Sequence, residues 1–326
     1  MTECEFKSQL KSYMVGLVAQ KRALGCKYTE QVKLLKKFDE FCLEQFPNEH
    51  TVTKPMLEIW SVLRPTERPG TLRNRVTVIS HLAQYICALG CEAYVFPTND
   101  LPKEPKYTPH IYTNDELQRL FRQIDCCEYM PLIPNRHLIM PLLFRMLCCC
   151  GLRLGEALRL EVCDVDLSTG VLLIRDTKYD NDRCVPMSEE LAEMCRVYAK
   201  QVHVVGTQHQ YFFPSHRGEQ ISSMNIYTNF RRFLQQAGIS HGGKGIGPRI
   251  YDFRHTFAVN CLKRMVLDGK DLAVYHQVLK TYMGHSFFKY TAYYLRLTKD
   301  MFPDIRQKME TFYEAVPSSA GGERDA

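Results

Sequence analysis

Residues 247–262 read GPRIYDFRHTFAVNCL, and residues 281–295 read TYMGHSFFKYTAYYL. Arg254 lies in the first stretch and His285 in the second, and Tyr294 follows His285 by 9 positions. A site that cleaves a phosphodiester without a metal needs a nucleophile, fixed positive charge on the non-bridging oxygens, and proton donors. The two stretches can supply a phenol, a guanidinium and an imidazole to such a site.

Short motifs in these stretches carry a resemblance to a known family. RHTFA at 254–258, MGHS at 283–286, and the step from Thr291 to Tyr294 resemble the catalytic core of the tyrosine recombinases, also called phage integrases. That family breaks and rejoins DNA through a covalent 3′-phosphotyrosine. Its site also requires a first arginine far upstream and a lysine on a β-hairpin, so the resemblance makes predictions about the rest of the chain.

Both upstream residues have a counterpart in this chain, in the expected order. GLRLGE at 151–156 resembles the segment with the first arginine, here Arg153, and TKYDNDRCVPM at 177–187 resembles the hairpin with the lysine, here Lys178. Taken without the resemblance, Arg153 is more simply a structural arginine paired with a carboxylate such as Glu156, and a hairpin lysine is usually just exposed. With the resemblance, both are expected in the site, and Glu156 is expected to support Arg153.

The resemblance also implies a role for each side chain. The two arginines would bind the scissile phosphate, because two planar guanidiniums can hold its equatorial oxygens. Tyr294 would be the nucleophile, with Tyr293 as the alternative, and Lys178 would protonate the leaving 5′ oxygen. His285 would hydrogen-bond the phosphate. No metal, ATP or other cofactor is expected, because the ester energy is kept in the phosphotyrosine.

One position departs from the family's usual pattern. Three residues before Arg254 the family most often carries histidine, whereas this chain has Tyr251. A phenol can hydrogen-bond a phosphate oxygen but is a weak base, so the departure allows a slower or an inactive enzyme. His255 is expected to be structural, because neighbouring residues on a helix point about 100° apart.

Length and composition are those of a globular protein with two domains. The chain has 326 residues, 45% hydrophobic and 24% charged, and its net charge of +6 mildly favours an anionic partner. Its 14 cysteines include no C-x-x-C pair, so they are expected to be thiols in a reducing cytoplasm rather than a disulfide or metal framework. With no signal sequence and no apolar run long enough for a bilayer, the protein is expected to be cytoplasmic, without a membrane partner.

Periodicity and proline content predict where the domains lie. Residues 1–96 contain four amphipathic helical patterns, which fit the helical, SAM-like core-binding domain of the family in size and class. Residues 97–110 contain four prolines without periodicity and are predicted to be a linker. Residues 111–304 would form the catalytic domain, and residues 305–326 a C-terminal helix with a disordered tail.

The expected fold class is mainly α with a small antiparallel β-sheet (α+β). A capping box at 113–116 predicts the start of a helix, and residues 171–174 and 183–186 are predicted to pair as a β-hairpin. Another helix is expected to begin at Ser188, capped by its hydroxyl. The resemblance adds that the two domains form a C-shaped clamp around duplex DNA.

Basic residues outside the motifs are candidate DNA contacts, although a solvated helix face is the commoner explanation. The candidates are Lys21, Arg22, Lys27, Arg73, Arg75, Lys244 and Arg249. The loop at 241–249 is rich in glycine but lacks the strand and helix context of a nucleotide-binding loop, so an NTPase is excluded. Contact between its backbone and DNA phosphates stays open.

The resemblance implies that the partners are double-stranded DNA recombination sites. An apolar stripe at 305–316 would dock on the chain's own core or, as in the family, insert into a neighbouring protomer of a tetramer on DNA. A phage or other mobile element is the expected context, and an accessory factor could set the direction of the reaction. The alternatives are a DNA-binding protein of the same fold with weakened catalysis, and a type IB topoisomerase-like enzyme that relaxes supercoils without sequence preference.

Overall fold

The computed structural model describes residues 5–103, 107–175, 182–204, 209–243 and 246–285, together with Thr291, Tyr293 and Tyr294. Its contacts divide the chain into two units, residues 1–106 and 107–326. Both units are mainly helical, and unit 2 adds a small antiparallel sheet, which confirms the predicted fold class. None of the helices within these ranges combines the length and the apolar character that crossing a bilayer requires.

Unit 1 consists of helices whose apolar faces meet around the chain's single tryptophan, Trp60. The helices are α1 (Lys11–Ala23), α2 (Thr29–Gln45), α3 (Lys54–Trp60) and α4 (Pro69–Ala88), followed by a 3-10 turn at Thr98–Asp100. The Trp60 ring meets Phe38 of α2 edge-on, with 5.0 Å between ring centroids. Helix α4 begins at Pro69, because a proline in the first turn has no N–H to leave unpaired.

Two arginines of α4 that the sequence suggested as DNA contacts are bound within unit 1. The Arg75 side chain is 4% exposed. It forms a bidentate ion pair with Glu67, at 2.7 and 2.8 Å, and donates to the carbonyls of Trp60 and Val62. The prediction that Arg75 contacts DNA is therefore wrong, because a buried guanidinium needs these partners to offset its desolvation. Arg73 is half-buried and donates to two carbonyls of the segment after α4, at 2.9 and 2.7 Å.

Unit 2 holds the other described helices and the sheet. Its helices are α5 (Asn114–Asp125), α6 (Arg136–Cys149), α7 (Leu154–Arg159), α8 (Glu189–Val202), α9 (Ser223–Gln236), α10 (Tyr251–Leu267) and α11 (Leu272–Met283). Helix α6 lies in the core, where the Phe144 ring packs against Phe230 of α9 and Phe253 of α10 at 5.8 and 5.9 Å. The capping box predicted before α5 is present, since Thr113 Oγ1 accepts from the Glu116 N–H at 3.2 Å.

The sheet has three antiparallel strands in the order β1 (Val165–Asp166), β2 (Val171–Ile174) and β3 (Arg183–Pro186). Leu172 of β2 lies opposite Val185 of β3, and both side chains are buried against the core. The predicted hairpin is thus present. Strand β1 was not predicted, because two residues are too few to show a period. The connection at 176–181, which contains Lys178, lies outside the described residues.

The expected linker at 97–110 is partly packed where the structure describes it. Leu101 is buried in the core of unit 1, and Tyr107 donates to the Asp252 carboxylate within unit 2 at 2.5 Å. The domain bounds expected from the sequence stay predictions. The C-terminal stripe at 305–316 lies outside the described residues.

Candidate active site

Arg254 lies near the start of α10 and is only 1% exposed. Its Nη1 donates to the Gly151 carbonyl at 2.6 Å, and its Nη2 donates to the Met283 carbonyl and lies 3.0 Å from Nε2 of His285. One guanidinium thus joins the turn after α6, helix α10 and the end of α11. Burial, and then the positive charge of Arg153, lower the pKa of Arg254 below its ordinary value.

Arg153 caps the start of α7, where the chain reverses direction after α6. Gly151 makes this reversal with a φ of +58°, a left-handed conformation that favours glycine. The Arg153 side chain is 33% exposed; its Nη1 donates to Glu156 at 2.5 Å and its Nη2 to the Gly284 carbonyl at 3.3 Å. Burial lowers the pKa of Arg153, but the charge of Glu156 and the phenol of Tyr251 outweigh it and raise the pKa.

The buried carboxylate of Glu156 connects Arg153 to a further arginine, Arg183. Glu156 accepts from the Arg153 backbone N–H at 2.9 Å and from Arg183 Nη2 at 2.8 Å. Burial raises the pKa of Glu156, but Arg183 and then Arg153 bring it down to about 2, so the group is ionised at neutral pH. Sequence reasoning missed Arg183, because a charged residue that begins a strand is usually exposed. Its place in the TKYDNDRCVPM segment was the available signal.

His285 is buried at the end of α11, between Arg254 and Thr291. Its Nε2 faces the Arg254 Nη2, and its Nδ1 lies 2.9 Å from Thr291 Oγ1. Because a guanidinium only donates, Nε2 must be the acceptor, which places the imidazole proton on Nδ1. Burial, followed by the charges of Arg254 and Arg153, lowers the pKa of His285 to about 3. The imidazole is therefore neutral across the physiological range.

Tyr294 lies against the same group of residues. It is 2% exposed, and its ring stacks on His285 with 5.9 Å between centroids and an interplanar angle of 22°. Burial raises the pKa of Tyr294 to about 12, although the charge of Arg254 and a hydrogen bond from it act in the opposite direction. Tyr293, the alternative nucleophile, is 36% exposed and contacts the His255 ring edge-on at 6.3 Å.

Tyr251 and His255 lie on the face of α10 that borders the two tyrosines. Tyr251 is 41% exposed, and its ring meets His255 edge-on at 5.0 Å. His255 also contacts the Tyr294 ring at 5.5 Å, and its Nδ1 is buried with no hydrogen-bond partner in the described part of the chain. Burial, and then the charges of Arg254 and Arg249, lower the pKa of His255 to about 4. These contacts are those of a packing residue, which is the structural role expected for His255.

The structure thus brings together most of the site residues expected from the sequence. The end of α11 is bordered by Arg153, Arg254, His285 and Tyr294, and Glu156 and Tyr251 lie beside Arg153. Lys178 and Lys244 lie outside the described residues.

Arg249 and three basic residues of unit 1 are the remaining candidate DNA contacts. Arg249 is exposed, and its guanidinium stacks on the Tyr107 ring, 3.4 Å from the centroid. In unit 1, Arg22 and Lys27 are exposed and Lys21 is half-buried.

Known proteins resemble this chain over most of its length. The putative integrase/recombinase y4rB of Sinorhizobium fredii is 29% identical over 95% of this chain and 98% of its own length. The putative integrase/recombinase y4rE of the same organism is 30% identical over 86% of this chain and 89% of its own. Tyrosine recombinase XerC of Chlamydia caviae is 24% identical over 81% of this chain and 77% of its own.

Solved structures share the fold. The XerH site-specific recombinase, in a post-cleavage complex with a palindromic difH substrate, superposes with a TM-score of 0.63 at 19% identity, over 86% of this chain and 79% of its own. The Tn1549 transposon integrase in complex with transposon right-end DNA superposes with a TM-score of 0.63 at 15% identity, over 92% of this chain and 99% of its own.

A family-wide comparison covers the region that holds the site. The sequence pattern described as "Phage integrase family" matches residues 112–301, more than half of the 326 residues. Each of the site residues described above falls within this match. The chain therefore belongs to the phage integrase family, the tyrosine recombinases, which are enzymes that cleave and rejoin DNA.

Proposed function

We propose that this protein is a site-specific recombinase that cleaves and rejoins duplex DNA through a 3′-phosphotyrosine on Tyr294. The observation that supports this most is the convergence of Arg153, Arg254 and His285 on the last residues of α11, with the Tyr294 ring stacked on His285. A phenol beside two guanidiniums has the composition of a metal-independent phosphoryl-transfer site.

The scissile phosphate would bind on the exposed side of Arg153. This guanidinium is 33% exposed, whereas Arg254 and His285 are buried. Three guanidiniums, including that of Arg183, surround one described carboxylate, that of Glu156, so the site carries excess positive charge. Such a charge stabilises the pentacoordinate transition state, whose equatorial oxygens gain negative charge.

In the reaction, the Tyr294 oxygen forms a bond to phosphorus as the bond to the 5′ oxygen breaks. The Tyr294 phenol gives its proton to solvent as this bond forms, and the charge of Arg254 favours the phenolate. The leaving 5′ oxygen takes a proton, which we assign to Lys178 by the family resemblance. Because Tyr294 is 2% exposed, we expect its hydroxyl to become accessible when a duplex binds.

Covalent capture on nicked DNA tests this function and identifies the target sequence in the same experiment. The protein is incubated with nicked duplexes that contain a randomised segment, and protein-bound strands are recovered after denaturation in detergent and sequenced. A nick lets the cut 5′ end diffuse away, so a phosphotyrosine adduct accumulates. We expect Tyr293→Phe to form the adduct and Tyr294→Phe to form none; the opposite pattern would move the nucleophile to Tyr293.

A second candidate function is DNA binding with weakened catalysis, and Tyr251 is the observation that favours it. A phenol is a poorer general base than the histidine usual in the family at this position. A protein of this kind would bind duplex DNA tightly, and its affinity would fall steeply with salt, but it would give no adduct in the same capture.

Partners and context are further parts of the proposal. The XerH and Tn1549 structures are complexes with DNA, which supports double-stranded recombination sites as the substrate here. We propose a homotetramer that exchanges its C-terminal segment, action in the cytoplasm on a phage or other mobile element, and an accessory factor that sets direction. Light scattering on the complex with a captured site, compared with a chain truncated before residue 305, would test the tetramer.

A further inference from the structure

Arg183 is the first residue of β3, on the returning leg of the hairpin whose connection contains Lys178. Its side chain is 7% exposed. The guanidinium donates to both carboxylate oxygens of Glu156, from Nη2 at 2.8 Å and from Nη1 at 3.2 Å. Its Nε donates to the Tyr282 carbonyl in the last turn of α11 at 2.8 Å. A bidentate pair of this kind fixes orientation as well as distance.

The same carboxylate also holds Arg153, through its Nη1 and its backbone N–H. Arg153 in turn reaches the Gly284 carbonyl, two residues beyond the carbonyl that Arg183 binds. Arg153 and Arg183 therefore both bind Glu156, and both also bind the end of α11. This closed ring of contacts ties three segments of the site to one another: the start of α7, the start of β3 and the turn that carries His285.

Gly284 explains how Arg183 comes so close to that turn. Its φ is +62°, and a Cβ at this position would lie 2.9 Å from Arg183 Nη1 and 3.2 Å from Cζ. Any side chain larger than hydrogen would therefore push the guanidinium away from the residue just before His285. The glycine of the MGHS motif leaves the space that Arg183 occupies.

We propose that Arg183 is a positioning residue for protonation of the leaving group. It holds β3, the returning strand of the hairpin, on Glu156 and α11, beside the site that Arg153 and His285 form. This inference rests on the proposed function, which assigns the general acid to Lys178. Arg183 itself contacts no reacting atom, because its donors are engaged by Glu156 and Tyr282.

The test compares two nicked duplexes that differ in one atom of the scissile phosphate. In one the 5′ leaving atom is oxygen, and in the other it is sulfur, which departs as a thiolate and needs no general acid because thiols are far more acidic than alcohols. For Arg183→Gln we expect single-turnover adduct formation to fall roughly 100-fold with oxygen, and to be within about 3-fold of wild type with sulfur. Affinity for the duplex should change less than about 2-fold.

Two more variants keep the test decisive. Arg183→Lys retains the charge next to Glu156 but cannot also reach Tyr282, so it should restore part of the rate with oxygen and match wild type with sulfur. Arg145→Gln is the matched control, since Arg145 forms an equally bidentate pair with Asp125, at 2.6 and 2.7 Å, on α6. It should leave both rates unchanged.

Three results would overturn the inference: an equal defect with both substrates for Arg183→Lys, wild-type rates with oxygen for Arg183→Gln, or the same defect in Arg145→Gln. Failure of the proposed function would look different, because the wild-type protein would then form no adduct with either substrate.

Discussion

Tyr251 is the residue at which the site departs from its family, and it gives the most direct test of proton transfer. Its ring lies on α10, one turn before Arg254, and is 41% exposed. Imidazole titrates near neutrality and can accept a proton from a nucleophile, whereas a phenol is mostly protonated there. We expect Tyr251→His to raise the single-turnover rate of adduct formation by about 10-fold or more at pH 7.5.

The pH profile and a control variant separate this effect from a general rearrangement. The rate of Tyr251→His should gain a limb that rises through the titration of an imidazole, with a midpoint near pH 6.5. Tyr251→Phe keeps the ring contact with His255 but removes the hydroxyl, and should not gain that limb. A Tyr251→His variant no faster than wild type at any pH would show that the phenol does not limit the reaction.

Two histidines of the site, the half-buried His255 and the buried His285, make stability depend on pH. Burial is the main cause that lowers the pKa of His255 to about 4 and that of His285 to about 3, whereas the unfolded chain has ordinary values near 6.5. The unfolded state therefore binds protons first as the pH falls. The free energy of unfolding should be highest above pH 6.5 and fall below it, by up to about 1.4 kcal/mol per pH unit for each histidine, until the folded pKa is reached.

His255→Phe checks this expectation, because phenylalanine keeps an aromatic ring against Tyr251 and Tyr294 but does not titrate. Urea unfolding at pH 7.5 and pH 5.5 measures the loss of stability in each protein. The variant should lose about 1 kcal/mol less than wild type over this interval. Equal losses would mean that the pKa of His255 is not lowered in the folded protein.

At the level of single residues, the sequence indicated the residues that we propose to carry chemistry, but not the residues that hold them in place. Arg254, His285 and Tyr294 lie in motifs that are specific by residue type and spacing. The role of Arg75 was predicted wrongly, and that of Arg183 was not predicted, because both depend on a buried carboxylate that only the tertiary structure brings near.

The turn between α6 and α7 shows how an element boundary serves the site. Gly151 has a φ of +58°, its carbonyl accepts from Arg254, and a Cβ added there would lie 2.5 Å from the Phe257 ring. Gly151→Ala should therefore suffer both backbone strain and a clash. We expect it to lose about 3 kcal/mol of unfolding free energy and most of its cleavage rate.

Gly269→Ala is the matched control for this turn. Gly269 follows α10 in the same unit, has a φ of +66°, and has no atom within 4 Å of the position of an added Cβ. Gly269→Ala should lose only the part of the unfolding free energy that comes from backbone strain, about 1 kcal/mol, and should keep its cleavage rate. Chemical denaturation and the adduct assay measure both effects. Similar losses in the two variants would show that the contact with Phe257 adds nothing to the cost of Gly151→Ala.

Elements with a local signal were predictable, and those that depend on distant partners were not. The box at Thr113 satisfies the first N–H groups of α5 from within four residues, so sequence alone indicates it. Ser188 caps α8 in the same way, by accepting from the Leu191 N–H. Strand β1 exists because Val165 pairs with Leu172 across a turn, and a two-residue strand has no period of its own.

At the scale of the whole molecule, the chain has separate cores. Among the described residues, one cluster of buried side chains lies entirely within unit 1, and two others lie within unit 2. Length and the proline-rich stretch indicated two domains, because both are properties of the sequence. Packing of Leu101 into the core of unit 1 was not indicated, since a single apolar residue among prolines has no periodicity.

Separate cores predict that the two units unfold separately, and Trp60, the single tryptophan, reports on unit 1 alone. Its ring lies 5.0 Å from the Arg75 guanidinium, which the buried Glu67 neutralises. Glu67→Gln leaves that charge without its carboxylate. We therefore expect the unfolding free energy of unit 1, measured by Trp60 fluorescence in urea, to fall by about 3 kcal/mol. The part of the circular dichroism transition that belongs to unit 2 should stay in place.

Lys33→Gln is the control variant, because it breaks only the exposed pair with Glu30. It should change the unfolding free energy of either transition by less than about 0.5 kcal/mol. If Glu67→Gln moved both transitions together, the units would unfold as one cooperative body, and separate cores would not mean separate stabilities.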